Sequence, residues 1–191
     1  MNRINERLIF LKLFLENPKE IGSITPSSRF LLDAMVSKID FETAKCIVEY
    51  GPGTGSITRI LLNKSRKDCN IVVFEKNKKL ADYLKKRFSD RRLVVVNSNA
   101  ESSQKYLERF KIKADYVVCS IPLALLDKKQ KIKILATAKN ILNDEGLYVS
   151  YLYLFSLNAL KESKAYMKNL NCDFIFLNLP PAIVLSSKNI L

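Results

Sequence analysis

Along the chain, short uninterrupted apolar runs alternate with stretches in which apolar residues recur every three to four positions. The runs at 46–50, 71–75, 93–96 and 114–119 are continuous rather than alternating, as in parallel strands covered by helices on both faces. Between them the helical period predicts helices over about 56–64, 78–88, 102–110 and 128–142. Ahead of the first strand, residues 3–16 read as a helix ended by Asn17-Pro18, because proline disfavours the α region in the residue before it. A second helix is expected from Pro26, capped by Thr25 or Ser27, to about Ile39. After the fourth strand and its helix, Asp144-Glu145-Gly146 predicts a turn into a strand at 147–154. A last helix over about 157–169 and two strands near 173–178 and 183–186 complete the pattern. Repeated β-α units with right-handed crossovers give an α/β fold with an open doubly wound sheet. No internal repeat or composition break marks a second domain.

Composition narrows the picture. The 191 residues are 48% hydrophobic with five glycines and six prolines, which suits one globular domain able to bury a core without metal or disulfides. No apolar run approaches the ~18 residues of a membrane span, so no transmembrane helix is expected. Lys and Arg number 32 against 19 Asp and Glu, a net +13 spread over the whole length. A field of that sign favours nucleic acid or an anionic lipid surface.

The chain has no histidine, which excludes Ser-His-Asp triads, HExxH zinc sites and imidazole general bases. Cys46, Cys69, Cys119 and Cys172 form no CxxC and read as small thiols in a reducing compartment. No metal site is expected. Arg3 and Arg7 precede an apolar stretch broken by Lys12, with no small-residue cleavage site after it. This is no secretory signal, and the expected location is the cytoplasm.

The chemistry begins where the first strand runs into Glu49-Tyr50-Gly51-Pro52-Gly53-Thr54-Gly55 and then a helix. Glycines at alternate positions let the backbone turn sharply and approach a ligand with no Cβ in the way. The helix that follows presents free N–H groups. The second strand ends in Glu75, an acid placed to accept hydrogen bonds from ribose hydroxyls, although it also suits a helix cap before Lys76-Asn77. The spacing differs from the GxGxxG dinucleotide fingerprint, so a nucleoside-containing cofactor other than NAD is expected.

These residues resemble the first motif of class I S-adenosylmethionine-dependent methyltransferases, and the Gly146 turn, strand and closing strand pair resemble that family's C-terminal half. The resemblance implies a Rossmann-like, mostly parallel seven-stranded sheet with an antiparallel last strand. It implies residues 1–40 as N-terminal helices covering the site and 41–191 as the cofactor-binding sheet of a single domain. S-adenosylmethionine would be the cofactor and S-adenosylhomocysteine the product. Glu49, Gly51, Gly53, Gly55, Glu75, Lys76, Asn99, Ala100 and Ser120 would hold it. An acid is usual where this chain has Asn99; an amide oxygen there can accept one hydrogen bond from adenine, while turn formation explains the residue equally well.

Within that family the chain is similar to bacterial phospholipid N-methyltransferases and to ribosomal RNA adenine dimethylases. The leader Asn17-Pro18 to Ser28, the step Cys119-Ser120-Ile121-Pro122-Leu123 and the segment Asn178-Leu179-Pro180-Pro181-Ala182 resemble the lipid enzymes. Ser120, Ile121 and Pro122 would then position an amine, such as that of phosphatidylethanolamine, through a hydroxyl and backbone carbonyls. Leu123 would desolvate it, and desolvation lowers an amine's pKa. Ser27, Ser28 and Arg29 are candidates for a lipid phosphate.

Adenine-modifying enzymes generally place Asn and an aromatic ring where Ser120 and Leu123 stand, and a flipped base without the ring loses about 1–3 kcal/mol of stacking. No residues after the last strand remain for the helical RNA-binding domain of the dimethylases, so RNA is the less favoured partner. An anionic membrane then accounts for the charge. Ile4, Leu8, Leu11 and Leu15 form a stripe flanked by Arg3, Arg7 and Lys12, suited either to the headgroup region or to packing on the domain. A small-molecule amine methyltransferase and a non-catalytic binding protein on the same scaffold remain further readings. No oligomeric state follows from the sequence.

Overall fold

A computed structural model describes residues 28–154 and 157–190. The helix expected over 3–16, Thr25 and Ser27 lie outside the described residues. Helix α1 spans Arg29–Val36, and Ser28 caps it by accepting the Leu31 amide at 3.2 Å. The expected helix is thus shorter at both ends.

Four strand–helix units follow. Strand β1 (Cys46–Tyr50) leads to α2 (Ser56–Lys64), and β2 (Asn70–Phe74) to α3 (Lys78–Arg87). Strand β3 (Leu93–Val96) leads through a 3-10 turn at Ala100–Ser102 to α4 (Ser103–Phe110). Strand β4 (Ala114–Cys119) leads through a 3-10 turn at Leu123–Leu125 to α5 (Lys128–Ile141). Side-chain caps start two of these helices: Asn77 accepts the Leu80 amide at 3.2 Å, and Asp127 accepts the Gln130 amide at 2.8 Å. The chain continues through β5 (Leu142–Tyr153), α6 (Leu157–Tyr166), β6 (Met167–Lys168), β7 (Asn171–Ile175), β8 (Ala182–Ser187) and β9 (Asn189–Ile190).

Seven strands form one sheet in the order β3-β2-β1-β4-β5-β8-β7, with β6 and β9 as a separate pair. Strands β1 to β5 pair in parallel, while β8 is antiparallel to both β5 and β7. The mostly parallel doubly wound sheet expected from the sequence is the one observed. Its continuous apolar runs are explained by burial on both faces. Cys46, Val48, Tyr50, Val72 and Phe74 face a core closed by Leu107 of α4 and Ile134, Leu135 and Ala138 of α5. Ile47, Ile71 and Val73 face the other, closed by Leu31 and Met35 of α1, Ile57 and Leu61 of α2 and Leu84 of α3. Each fully buried leucine or isoleucine stabilises the fold by about 1.5–3 kcal/mol.

Three further expectations need correction, the simplest being that the helix expected over 157–169 ends at Tyr166, where Met167–Lys168 pairs with β9. Asp144-Glu145-Gly146 is not a turn before β5 but an irregularity inside it. Ala114 pairs with Leu142 and Tyr116 with Leu147, so the intervening residues bulge. The Asp115 carboxylate fills this place, accepting the Lys45 and Cys46 amides at 2.7 and 2.9 Å and the Asn143 side-chain amide at 2.6 Å. The third correction is that β7 ends at Ile175, so 176–181 is a connection rather than strand.

Cys46, Cys69 and Cys119 are buried and Cys172 is half-buried, all four as free thiols. Arg92 braces the C-terminus of α2 by donating to the Leu62, Ser65 and Arg66 carbonyls at 2.6, 2.8 and 3.0 Å. Among the described residues, no helix is long and apolar enough to cross a membrane.

Candidate active site

At the carboxyl edge of the sheet each central ladder runs one residue past its strand. Gly51 donates to the Phe74 carbonyl at 3.0 Å, Glu75 to Val96 at 3.0 Å, and Ser120 to Tyr50 at 2.8 Å. These bonds set Gly51, Glu75 and Ser120 side by side at the C-terminal ends of β1, β2 and β4, where ligands bind in open α/β sheets.

The three glycines do different work. All have positive φ, +69°, +57° and +83°. A Cβ on Gly51 would stand 2.8 Å from Ile121 Cγ1, and one on Gly55 would stand 2.6 Å from the Phe88 ring and 2.7 Å from Leu84. Gly51 therefore keeps the loop against the β4 tip, and Gly55 lets α2 start against α3. At Gly53 a Cβ would meet nothing within 4 Å, so here the backbone faces open space.

The loop is held from outside as well. Glu75, only 7% exposed, accepts the Gly53 amide at 3.1 Å through one oxygen and the Asn77 amide at 2.8 Å through the other. This burial is unlike a solvated cap; the side-chain cap of α3 is Asn77. Arg87 of α3 donates to the Thr54 carbonyl at 2.7 Å. Glu49 is fully buried, and Thr58 of α2 donates to its Oε2 at 2.6 Å. Its Oε1 has no partner. Burial pushes the Glu49 carboxyl up to about 8, against the Thr58 hydrogen bond and helped by the nearby Glu75 charge.

At the β4 tip the Ser120 hydroxyl is buried without a partner. Ile121 and Pro122 are half-buried beside it, and Leu123 turns into the core, 8% exposed. The structure thus brings Glu49, the glycine loop, Glu75, Ser120 and Ile121 together. Asn99 opens the 3-10 turn with its side chain exposed and its carbonyl accepting from Ser102, while Ala100 is buried. Lys76 is exposed.

Ser28 is occupied as the α1 cap, and its amide donates to Asn178 Oδ1 at 2.9 Å. Arg29 is exposed and pairs with Asp33 at 3.3 Å. No described contact draws Arg29 towards the glycine loop, and Ser27 lies outside the described residues.

Sequence reasoning missed four residues that shape this edge. Asn97 donates to the Glu75 and Lys76 carbonyls at 2.8 and 3.1 Å, fixing the β2 tip. Asn178 joins the segment before β8 to the start of α1. Arg87 and Thr58 act on the loop and on Glu49. Thr58 lies in the first turn of α2 behind the glycines, and Asn178 stood in a segment the sequence singled out without assigning it a partner; Asn97 and Arg87 meet their partners across long chain separations.

A group carrying several hydrogen-bonding atoms fits these residues. The backbone at Gly53 admits close approach, and Ser120 Oγ and Glu49 Oε1 are buried polar atoms lacking partners. Among the described residues, no cluster of His, Cys, Asp and Glu is placed to hold a metal.

Comparison with known proteins agrees. The family model described as ribosomal RNA adenine dimethylase matches residues 17–142. An ornithine lipid N-methyltransferase of Singulisphaera acidiphila is 30% identical over 142 residues, 73% of this chain and 74% of that protein. The mitochondrial ribosomal RNA small subunit methyltransferase of Arabidopsis thaliana is 34% identical over 88 residues, 46% of this chain but 22% of that protein. Among solved structures, a ribosomal RNA methylase from Streptococcus thermophilus superposes with a TM-score of 0.62 at 12% identity, over 89% of this chain and all of that one. That last likeness establishes the fold alone. The methyl donor is S-adenosylmethionine, leaving as S-adenosylhomocysteine. The chain is a class I methyltransferase and belongs to the ribosomal RNA adenine dimethylase family.

Proposed function

We propose that this protein N-methylates the amine headgroup of a membrane lipid, phosphatidylethanolamine or an ornithine lipid, at the cytoplasmic face of an anionic membrane. The observation that carries the reading is the β4 tip. Its buried Ser120 hydroxyl lacks a partner, and no aromatic side chain follows Pro122 to stack on a base. The ornithine lipid relative supports the reading, because its alignment extends over most of both chains.

S-adenosylmethionine supplies an electrophilic methyl group on sulfur. Gly51, Gly53 and Gly55 shape its loop, Glu75 with Lys76 faces the ribose, and Asn99 with Ala100 lies on the adenine side. Glu49, buried and short of one hydrogen bond, offers a hydrogen-bonding oxygen to the amino-acid end. Ser120 and the backbone of Ile121 and Pro122 accept hydrogen bonds from the lipid amine, aligning its lone pair with the methyl carbon. The apolar surroundings favour the uncharged amine, the form that has a lone pair to donate. Ser28 and the exposed Arg29 remain candidates for the lipid phosphate where the headgroup has one.

The alternative is adenine methylation in RNA, favoured by the match of the family model to residues 17–142. Radiolabelled methyl donor, incubated with phosphatidylethanolamine vesicles, ornithine lipid vesicles or ribosomal RNA, separates the two. Label in either lipid is expected, and label in RNA alone overturns the proposal. In calorimetry, Glu75→Ala is expected to weaken S-adenosylmethionine binding roughly tenfold or more; unchanged affinity removes Glu75 from the site.

A further inference from the structure

We infer that the rim of the crevice is a membrane-docking surface, in which Phe30, Leu125, Phe176, Leu177 and Leu179 enter the interfacial layer of an anionic bilayer. The inference rests on the lipid reading above and adds the element that brings the site to its substrate. These side chains are 54%, 68%, 71%, 67% and 84% exposed.

The register places them together. Ala182 of β8 pairs with Tyr153, the last residue of β5, and with Ile175, the last of β7. The connection 176–181 therefore lies at the same sheet edge as Gly51, Glu75 and Ser120. Leu125 follows the tip of β4 on that edge. The bond from the Ser28 amide to Asn178 brings the first turn of α1, with Phe30, alongside. The other exposed large apolar side chains among the described residues, Val94, Phe110 and Phe174, lie on β3, on α4 and within β7.

Two connections and the first turn of α1 thus raise apolar side chains around one opening. Exposed apolar patches rimmed by charge mark interaction sites. The flanking charge names the partner. Arg29, Lys76, Lys128 and Lys129 are exposed at this edge, with Asp33, paired to Arg29, and Asp127 as acidic neighbours, on a chain of net charge +13. Apolar side chains over a basic collar match the acyl boundary and headgroups of an anionic leaflet. Three of the five side chains are leucines, which offer RNA neither a stacking plane nor a hydrogen bond, and the Phe176 ring already stacks on Phe174 at 6.3 Å.

The chain has no tryptophan, so Phe176→Trp gives a single reporter. Vesicles containing anionic phosphatidylglycerol are expected to shift its emission to the blue, and brominated lipids to quench it. The triple variant Phe176→Ser, Leu177→Ser, Leu179→Ser is expected to lose vesicle binding in flotation by roughly a hundredfold, with an unchanged melting temperature. Methylation of short-chain, monomeric phosphatidylethanolamine is measured on both proteins.

Equal flotation of the variant and the parent overturns docking, whatever the activity. Loss of flotation with no lipid methylated by either protein leaves docking standing and removes the substrate assignment. Emission already blue without vesicles, or shifted by RNA but not by vesicles, also overturns docking. It would mean that residues 1–27, a second copy or nucleic acid covers the rim.

Discussion

Glu49 is a carboxyl group with no exposed surface, one hydrogen bond and a second acid nearby. In the unfolded chain it titrates near its ordinary 4.5, and in the fold burial raises it to about 8. Between those values the folded state holds a proton that the unfolded state has released. Its contribution is therefore complete below about 4.5, falls as pH rises towards about 8, and is level above that. Glu49→Gln keeps an acceptor for Thr58 and removes the titration. Melting temperatures between about pH 5 and pH 9 should decline less in the variant than in the parent, with the variant the more stable at the alkaline end. Parallel profiles would show that Glu49 stays ionised. Residue chemistry of this kind was half legible in the sequence: Glu49 stood out beside the glycines, but its burial did not.

At the scale of elements, the connections between helices and strands rest on single long side chains. Arg92 is the clearest case, since its guanidinium reaches three carbonyls at the end of α2 and forks onto Asp90. Those bonds hold the Asp90 carboxyl down at about 2. A lysine carries the charge but cannot reproduce the fork. Arg92→Lys is expected to destabilise the protein by about 1–3 kcal/mol in urea unfolding, and an unchanged midpoint would contradict that role. The elements themselves were legible, because continuous apolar runs and helical periods both report burial. Their ends were less so. Asp144-Glu145-Gly146 has the composition of a turn, yet β5 absorbs it as a bulge against β4. The start of α1 was expected after Thr25 or Ser27, but Ser28 is an equally good cap by composition, and its bond to Asn178, far along the chain, has no local signal.

Over the whole molecule, the mostly parallel doubly wound sheet and the glycine loop were legible in the sequence, because alternating strand and helix patterns and a glycine run after a strand are local signals; the strand order was not. Nor was the rim, because its apolar residues come from segments far apart in the chain. Net charge belongs to this scale too. A field of +13 acts over the Debye length, about 10 Å in 0.1 M salt, whereas apolar insertion is indifferent to screening. Raising salt from about 0.05 to 0.5 M should weaken binding to anionic vesicles roughly tenfold or more and leave binding to neutral vesicles little changed. Titration by light scattering reads both. Equal salt response on the two surfaces would remove charge from the encounter.

Asp115 sits at the margin of the sheet opposite the crevice, where it fastens the beginnings of β1 and β5 to β4. That fastening works like the spine of a book. Because the bound margin keeps β1, β4 and β5 in step, the opposite margin, where Gly51 and Ser120 are bonded to the neighbouring strand ends, inherits the same alignment.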